Sequence, residues 1–122
     1  NDTRESPAIN IGNYLLKEGA RLSIHDPKVN YEQIKFSFEN SNKLNNDKKN
    51  GYWTKESELS NVFDGADAIV ILTEWDEYRN LNWQKLSRSM RKPAWIFDTR
   101  GILSKEEIIS LGLNFWSIGL GS

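Results

Sequence analysis

The sequence predicts an α/β domain built on a largely parallel sheet, and three observations carry that prediction. Short apolar segments that read as strands alternate with segments whose apolar residues recur at helical spacing. One of them, Ala68-Ile69-Val70-Ile71-Leu72, is a continuous apolar run, the pattern of a strand buried on both faces. Caps and terminal glycines mark where the intervening helices start and stop.

The elements follow in order. Asn1 to Arg4 are polar and lead straight into a helix with no strand before it. Parallel α/β domains commonly open with a strand central to the sheet, so the chain is expected to be a piece of a longer polypeptide, its sheet lacking the first strand. Ser6 is placed as N-cap and Pro7 at the first helical position, where a missing N–H costs nothing. Ala8, Ile11 and Leu15, with Ile9, Gly12 and Leu16 alongside, give the apolar face, and Gly19 ends the helix in the left-handed position. Leu22 and Ile24 alternate with Arg21 and Ser23 in a short strand that ends at His25-Asp26-Pro27. Tyr31 to Ile34 are expected to form a brief helical turn, and Phe36 and Phe38 a minor strand.

Glu39 to Gly51 is mostly Asn, Lys, Ser and Asp and is expected to be a solvated, mobile loop. Tyr52-Trp53 is a short strand before a helix that carries Leu59, Val62 and Phe63 and stops at Asp64-Gly65. The apolar run follows and ends in Thr73-Glu74-Trp75-Asp76. A helix from about Asn82 buries Trp83, Leu86 and Met90 and stops before Pro93. Ala94 to Phe97 is a second buried strand. Ser104-Lys105-Glu106-Glu107 is a capping box opening the last helix, Gly112 closes it, and Phe115, Trp116 and Ile118 form the final strand.

The 122 residues fit one domain with a single core. Net charge is −1, from 16 basic and 17 acidic side chains mixed along the chain, so no basic field argues for nucleic acid or an anionic membrane. No apolar run approaches the roughly 20 residues of a membrane span, and no basic-then-apolar signal segment opens the chain. The sequence has no cysteine, which excludes disulfides, thiolate metal sites and thiol nucleophiles and fits a cytoplasmic setting. His25 is the single histidine and cannot build a metal cluster, so no metal is expected.

Ligands of open α/β sheets bind beyond the carboxyl ends of strands, beside helix N-termini. Three segments are expected at that rim: Thr3-Arg4, Thr73-Glu74-Trp75-Asp76 and Asp98-Thr99-Arg100. Arg100 can clamp a phosphate or hold a ribose hydroxyl, because the guanidinium fork matches phosphate oxygens two at a time. The competing reading is a surface arginine paired with Asp98 in a turn. Arg4 can reach an anion at the helix mouth, or pair with Glu5 or Asp2 in solvent. Glu74 and Asp76 read first as acids serving the dipole of the next helix, and Trp75 as packing, with base stacking left open. Asp26 ends a strand, as ribose-binding acids do in dinucleotide folds, but the Gly-x-Gly-x-x-Gly loop is absent and Asp-Pro is an ordinary turn former. His25 reads as strand-end packing. No nucleophile stands with its base, so no catalytic residue is assigned.

Four blocks in this order resemble one family along nearly the whole chain. They are Asp2-Thr3-Arg4-Glu5-Ser6-Pro7-Ala8, His25-Asp26-Pro27-Lys28-Val29, Thr73-Glu74-Trp75-Asp76-Glu77-Tyr78 and Phe97-Asp98-Thr99-Arg100. The resemblance is to the C-terminal, UDP-binding domain of the UDP-glucose/GDP-mannose dehydrogenase family, and the Thr-Glu-Trp-Asp block looks most like the UDP-glucose branch. It implies a Rossmann-like three-layer domain that binds a UDP-sugar. It also implies an N-terminal NAD-binding domain and a central helical region with a catalytic cysteine, both outside this chain, in a homo-oligomeric parent that serves polysaccharide biosynthesis. Such enzymes oxidise the sugar C6 alcohol to a carboxylate in two hydride transfers, with two NAD and a covalent thioester stage. By position, Arg100 would contact the UDP-sugar and Arg4 the NAD phosphates. The fragment alone is expected to be inactive. The alternative class is a receiver-like or nucleotide-sensing regulatory module; a receiver needs a lysine among its strand-end acids, and the slot after the Ala94–Phe97 strand holds Asp98-Thr99-Arg100 instead.

Overall fold

The computed structural model describes residues 7–41 and 51–118, and contacts divide the chain into two units at Glu58 and Leu59. Each unit has its own buried cluster, where the chain length alone predicts a single core.

The first unit pairs two helices with a two-stranded sheet. Helix α1 is Pro7–Lys17, β1 is Arg21–Ile24, α2 is Tyr31–Ser41 and β2 is Tyr52–Lys55. Strands β1 and β2 run parallel, with Leu22 opposite Trp53. Leu16, Ile34 and Phe38 are buried, and Ile9, Leu22, Ile24, Val29 and Trp53 pack on them. Ile11 is exposed, so the stripe of α1 that faces inward runs through Ile9, Gly12 and Leu16. Gly19 has φ 92°, the left-handed helix end that was expected.

Helix α2 corrects the expectation of a minor strand at Phe36 and Phe38. The cause lies upstream, in a reciprocal cap: the Gln33 N–H donates to Asn30 Oδ1 at 2.8 Å, and the Asn30 N–H donates to Gln33 Oε1 at 2.8 Å. Ile34 and Phe38, one turn apart, then share a buried stripe while Phe36 stays exposed. Lys35 bridges Glu39 at 2.9 Å, and that hydrogen bond with the Glu39 charge holds its ammonium above its ordinary pKa. The helix thus continues through Ser41, two residues past the start of the expected loop. Positions 42–50 of that loop lie outside the described residues, as does the Ser6 cap.

The second unit is built on three strands. Helix α3 is Leu59–Phe63, β3 Ala68–Ile71, α4 Asp76–Arg79, α5 Trp83–Ser87, β4 Trp95–Asp98, α6 Lys105–Ser110 and β5 Asn114–Ser117. The strand order is β3-β4-β5, all parallel, with Ile69, Ile96 and Phe115 in one row and Val70, Phe97 and Trp116 in the next. Parallel neighbours need crossovers, and the helices between these strands supply them. The buried cluster includes Phe63, Ile69, Ile71, Trp83, Ile96 and Ile108. The Phe63 and Trp83 rings meet edge to face at 5.3 Å.

Burial on both faces of β3 is not observed. Val70, Trp95 and Trp116 are 39%, 41% and 46% exposed, so one face of this sheet packs on the core and the other is open. The helix expected from Asn82 to Pro93 ends at Ser87, and Met90 is buried beyond it. Its cap is as expected in kind, with Asn82 Oδ1 accepting from the Lys85 N–H at 3.0 Å. Ser104 Oγ likewise accepts from the Glu107 N–H at 3.2 Å at the start of α6. Every strand pair described is parallel and helices alternate with strands, which is the Rossmann-like α/β architecture that was expected. No helix among the described residues is long and apolar enough to cross a membrane.

Candidate functional site

The carboxyl ends of β3 and β4 lie side by side, since Ile71 is paired with Asp98. What leaves β4 is held by two sets of hydrogen bonds. Thr99 donates to the Ile71 carbonyl twice, from its N–H at 3.2 Å and from its Oγ1 at 2.6 Å, which ties the end of β4 to the end of β3. Asp98 is wholly buried and binds the turn from inside. Its Oδ1 accepts the N–H groups of Arg100 at 3.1 Å and Gly101 at 2.8 Å, and its Oδ2 accepts that of Leu103 at 2.8 Å. Gly101 has φ 70°, a conformation that lets the chain curl around the carboxylate and that a side chain rarely adopts.

This network fixes the backbone of Arg100 and makes no use of its side chain. The guanidinium does not pair with Asp98. It donates from Nε at 3.0 Å, and also from Nη2, to Oε2 of Glu74, which follows β3. The side chains are 45% and 50% exposed, so the pair stands at the rim in reach of solvent. At the end of β5, Ser117 is buried beside Asp98, and its hydroxyl has no partner among the described residues.

The structure therefore brings together two of the three segments expected at the rim. Arg4, in the third, lies outside the described residues. Glu74 is the residue whose role the sequence concealed, because its partner stands 26 positions away and only the β3–β4 pairing joins them. The turn role of Asp98 had a local signal in Asp98-Thr99-Arg100-Gly101, where an aspartate commonly receives the N–H groups two and three residues on. Trp75 is half-buried against the core. Asp26 serves a turn, accepting the Lys28 N–H at 2.8 Å. No group of His, Cys, Asp and Glu suited to a metal occurs among the described residues.

Fold and rim together define a Rossmann-like α/β domain of the class that takes ligands beyond its strand ends. Residues 1–105 match the model of the UDP-glucose/GDP-mannose dehydrogenase family, UDP binding domain. The chain belongs to that family. It is 39% identical over 120 residues to UDP-glucose 6-dehydrogenase of Pongo abelii, a match that takes in 97% of this chain and 24% of that protein. The same enzyme of Mus musculus matches at 39%, again over 97% of this chain and 24% of the relative. UDP-glucose 6-dehydrogenase 1 of Arabidopsis thaliana is 34% identical over 128 residues, 97% of this chain and 27% of its own length. The chain thus spans about a quarter (24%) of the length of the first of these relatives. A UDP-D-ManNAc dehydrogenase structure from Pyrococcus horikoshii shares the fold at TM-score 0.53 and 21% identity, over 92% of this chain and 28% of that one.

Proposed function

We propose that this chain is the UDP-sugar-binding domain of a longer, cytoplasmic, homo-oligomeric NAD-dependent UDP-glucose 6-dehydrogenase, which converts UDP-glucose to UDP-glucuronate. The observation that supports it is Arg100, whose backbone is clamped at the sheet rim by Asp98 and whose guanidinium stays half exposed. A diphosphate is the anion such a fork grips best, through charge-assisted bonds to two oxygens at once.

The chemistry assigns the remaining work elsewhere in the parent. Oxidising a C6 alcohol to a carboxylate removes two hydrides and adds one oxygen from water, with NAD as the hydride acceptor. This chain has no cysteine for a thioester and no Gly-x-Gly-x-x-Gly turn for a dinucleotide, so its residues do not fit the main cofactor site. The task of this domain is to hold the nucleotide end of the substrate while the sugar end reacts. Arg4, by its place in the Asp2–Ala8 block, is proposed to touch the NAD phosphates from the facing domain.

Two substitutions in the full-length protein test the reading. Arg100→Ala removes a charge-assisted bond of about 1.5–3 kcal/mol, so the Kd for UDP-glucose should rise roughly tenfold to hundredfold with little change in Tm. An unchanged Kd would sink the assignment. Arg4→Ala should raise the apparent constant for NAD and leave UDP-glucose binding nearly alone, and Arg4→Lys should rescue only in part because it lacks the planar fork. Loss confined to UDP-glucose would put Arg4 on the wrong ligand.

A further inference from the structure

Glu74 sits in the Thr-Glu-Trp-Asp block, which the proposed function leaves without a task. A guanidinium has five N–H donors. Glu74 Oε2 takes one from Nε and one from Nη2, which leaves the second Nη2 hydrogen and both on Nη1. Both Asp98 oxygens are occupied by backbone N–H groups, and the carboxylate that holds the Arg100 guanidinium is that of Glu74. The strand ends that carry the two residues are themselves tied by the two hydrogen bonds that Thr99 donates, from its N–H and its Oγ1, to the Ile71 carbonyl.

We propose that Glu74 is a positioning residue for the nucleotide site, holding Arg100 by its Nε edge so that the other edge of the fork is ordered before a nucleoside diphosphate arrives. The proposal rests on the Arg100 reading above. Two effects compete. Ordering a long side chain on binding costs roughly threefold to tenfold in affinity, and Glu74 removes that cost in advance. Its negative charge also repels a diphosphate, but the half-exposed position of the pair leaves that repulsion screened by water and salt. Preordering is the larger effect.

UDP titrated calorimetrically at physiological ionic strength into the full-length protein tests it, with Glu74→Ala, Glu74→Gln, Arg100→Ala and the Glu74→Ala/Arg100→Ala double variant. Glu74→Ala should raise the Kd for UDP about threefold to tenfold, and Glu74→Gln by less, since the amide keeps an acceptor for Nε. In the Arg100→Ala background the effect of Glu74→Ala should vanish, an outcome that a merely structural Glu74 would not give. Tighter or unchanged binding in Glu74→Ala overturns the proposal, and so does an equal loss with and without Arg100. If Arg100→Ala weakens UDP binding while Glu74→Ala does not, only this proposal fails. If Arg100→Ala changes nothing, the reading beneath it fails as well. Should Glu74→Ala not fold, the isosteric Glu74→Gln carries the same cycle.

Discussion

Asp98 spends its whole carboxylate on the backbone. Three N–H groups depend on it, those of Arg100, Gly101 and Leu103, and none has a comparable substitute acceptor within the turn. A buried donor left without a partner costs about 1–3 kcal/mol. Asp98→Ala should therefore destabilise the fold by roughly 2–5 kcal/mol, with some water reaching the turn, while Asp98→Asn keeps one acceptor and loses less. Urea denaturation reads this directly, and a midpoint for Asp98→Ala equal to wild type would show that the turn does not depend on the carboxylate. Arg100 and Asp98 were both legible in the sequence as rim residues. Their relation was legible only in part, because the Asp98-Thr99-Arg100-Gly101 spacing signals a turn but equally invites a side-chain pair, whereas the carboxylate accepts from the backbone of its own turn. The true partner of Arg100 is set by strand pairing, which no local pattern encodes.

At the scale of elements, parallel strands and capped helices were legible because period, caps and glycines act locally. The strand expected at Phe36 and Phe38 failed for a reason of the same kind. Two aromatics spaced by two look like strand alternation, but the Asn30–Gln33 cap had already committed the segment to a helix. The meeting of α1 and α2 was not legible. A Cβ on Gly12 would stand 2.8 Å from the Phe38 ring, which is itself buried, so a bare backbone is what lets the ring lie there. Gly12→Ala gains about 1 kcal/mol of helix propensity and incurs about 1–3 kcal/mol of overpacking. A net loss of about 1 kcal/mol is expected by denaturation, and Phe38→Leu should cost less in the Gly12→Ala background than in wild type. A stabilised Gly12→Ala protein would mean that the ring yields freely.

The described residues divide into a small cluster around Leu16, Ile34 and Phe38 and a larger one around Trp83 and Ile96, and the candidate rim at the ends of β3 and β4 belongs to the second. The sequence has no cysteine to form a thioester and no Gly-x-Gly-x-x-Gly turn to hold a dinucleotide. The 122-residue chain incubated with NAD and UDP-glucose should therefore produce no NADH above a buffer control. Turnover followed at the absorbance of NADH would overturn the proposed division of labour between this domain and a longer parent. No observation favours a receiver-like module, whose acid-and-lysine cluster has no counterpart after β4.

The open face of the β3-β4-β5 sheet has an optical consequence. Trp83 is sealed in the core, whereas Trp95, stacked on Phe97 at 5.4 Å, and Trp116 look outward. Indole emission shifts to the blue and resists quenchers when water is removed. Trp95 and Trp116 thus form a built-in fluorescent label for that face, read against the emission of Trp53, Trp75 and Trp83, which lie elsewhere in the sequence. Parallel sheets are ordinarily covered on both sides. A segment that comes to lie on this one should shift the Trp95 and Trp116 part of the emission to the blue, and substituting each in turn to Phe would assign that change to the face.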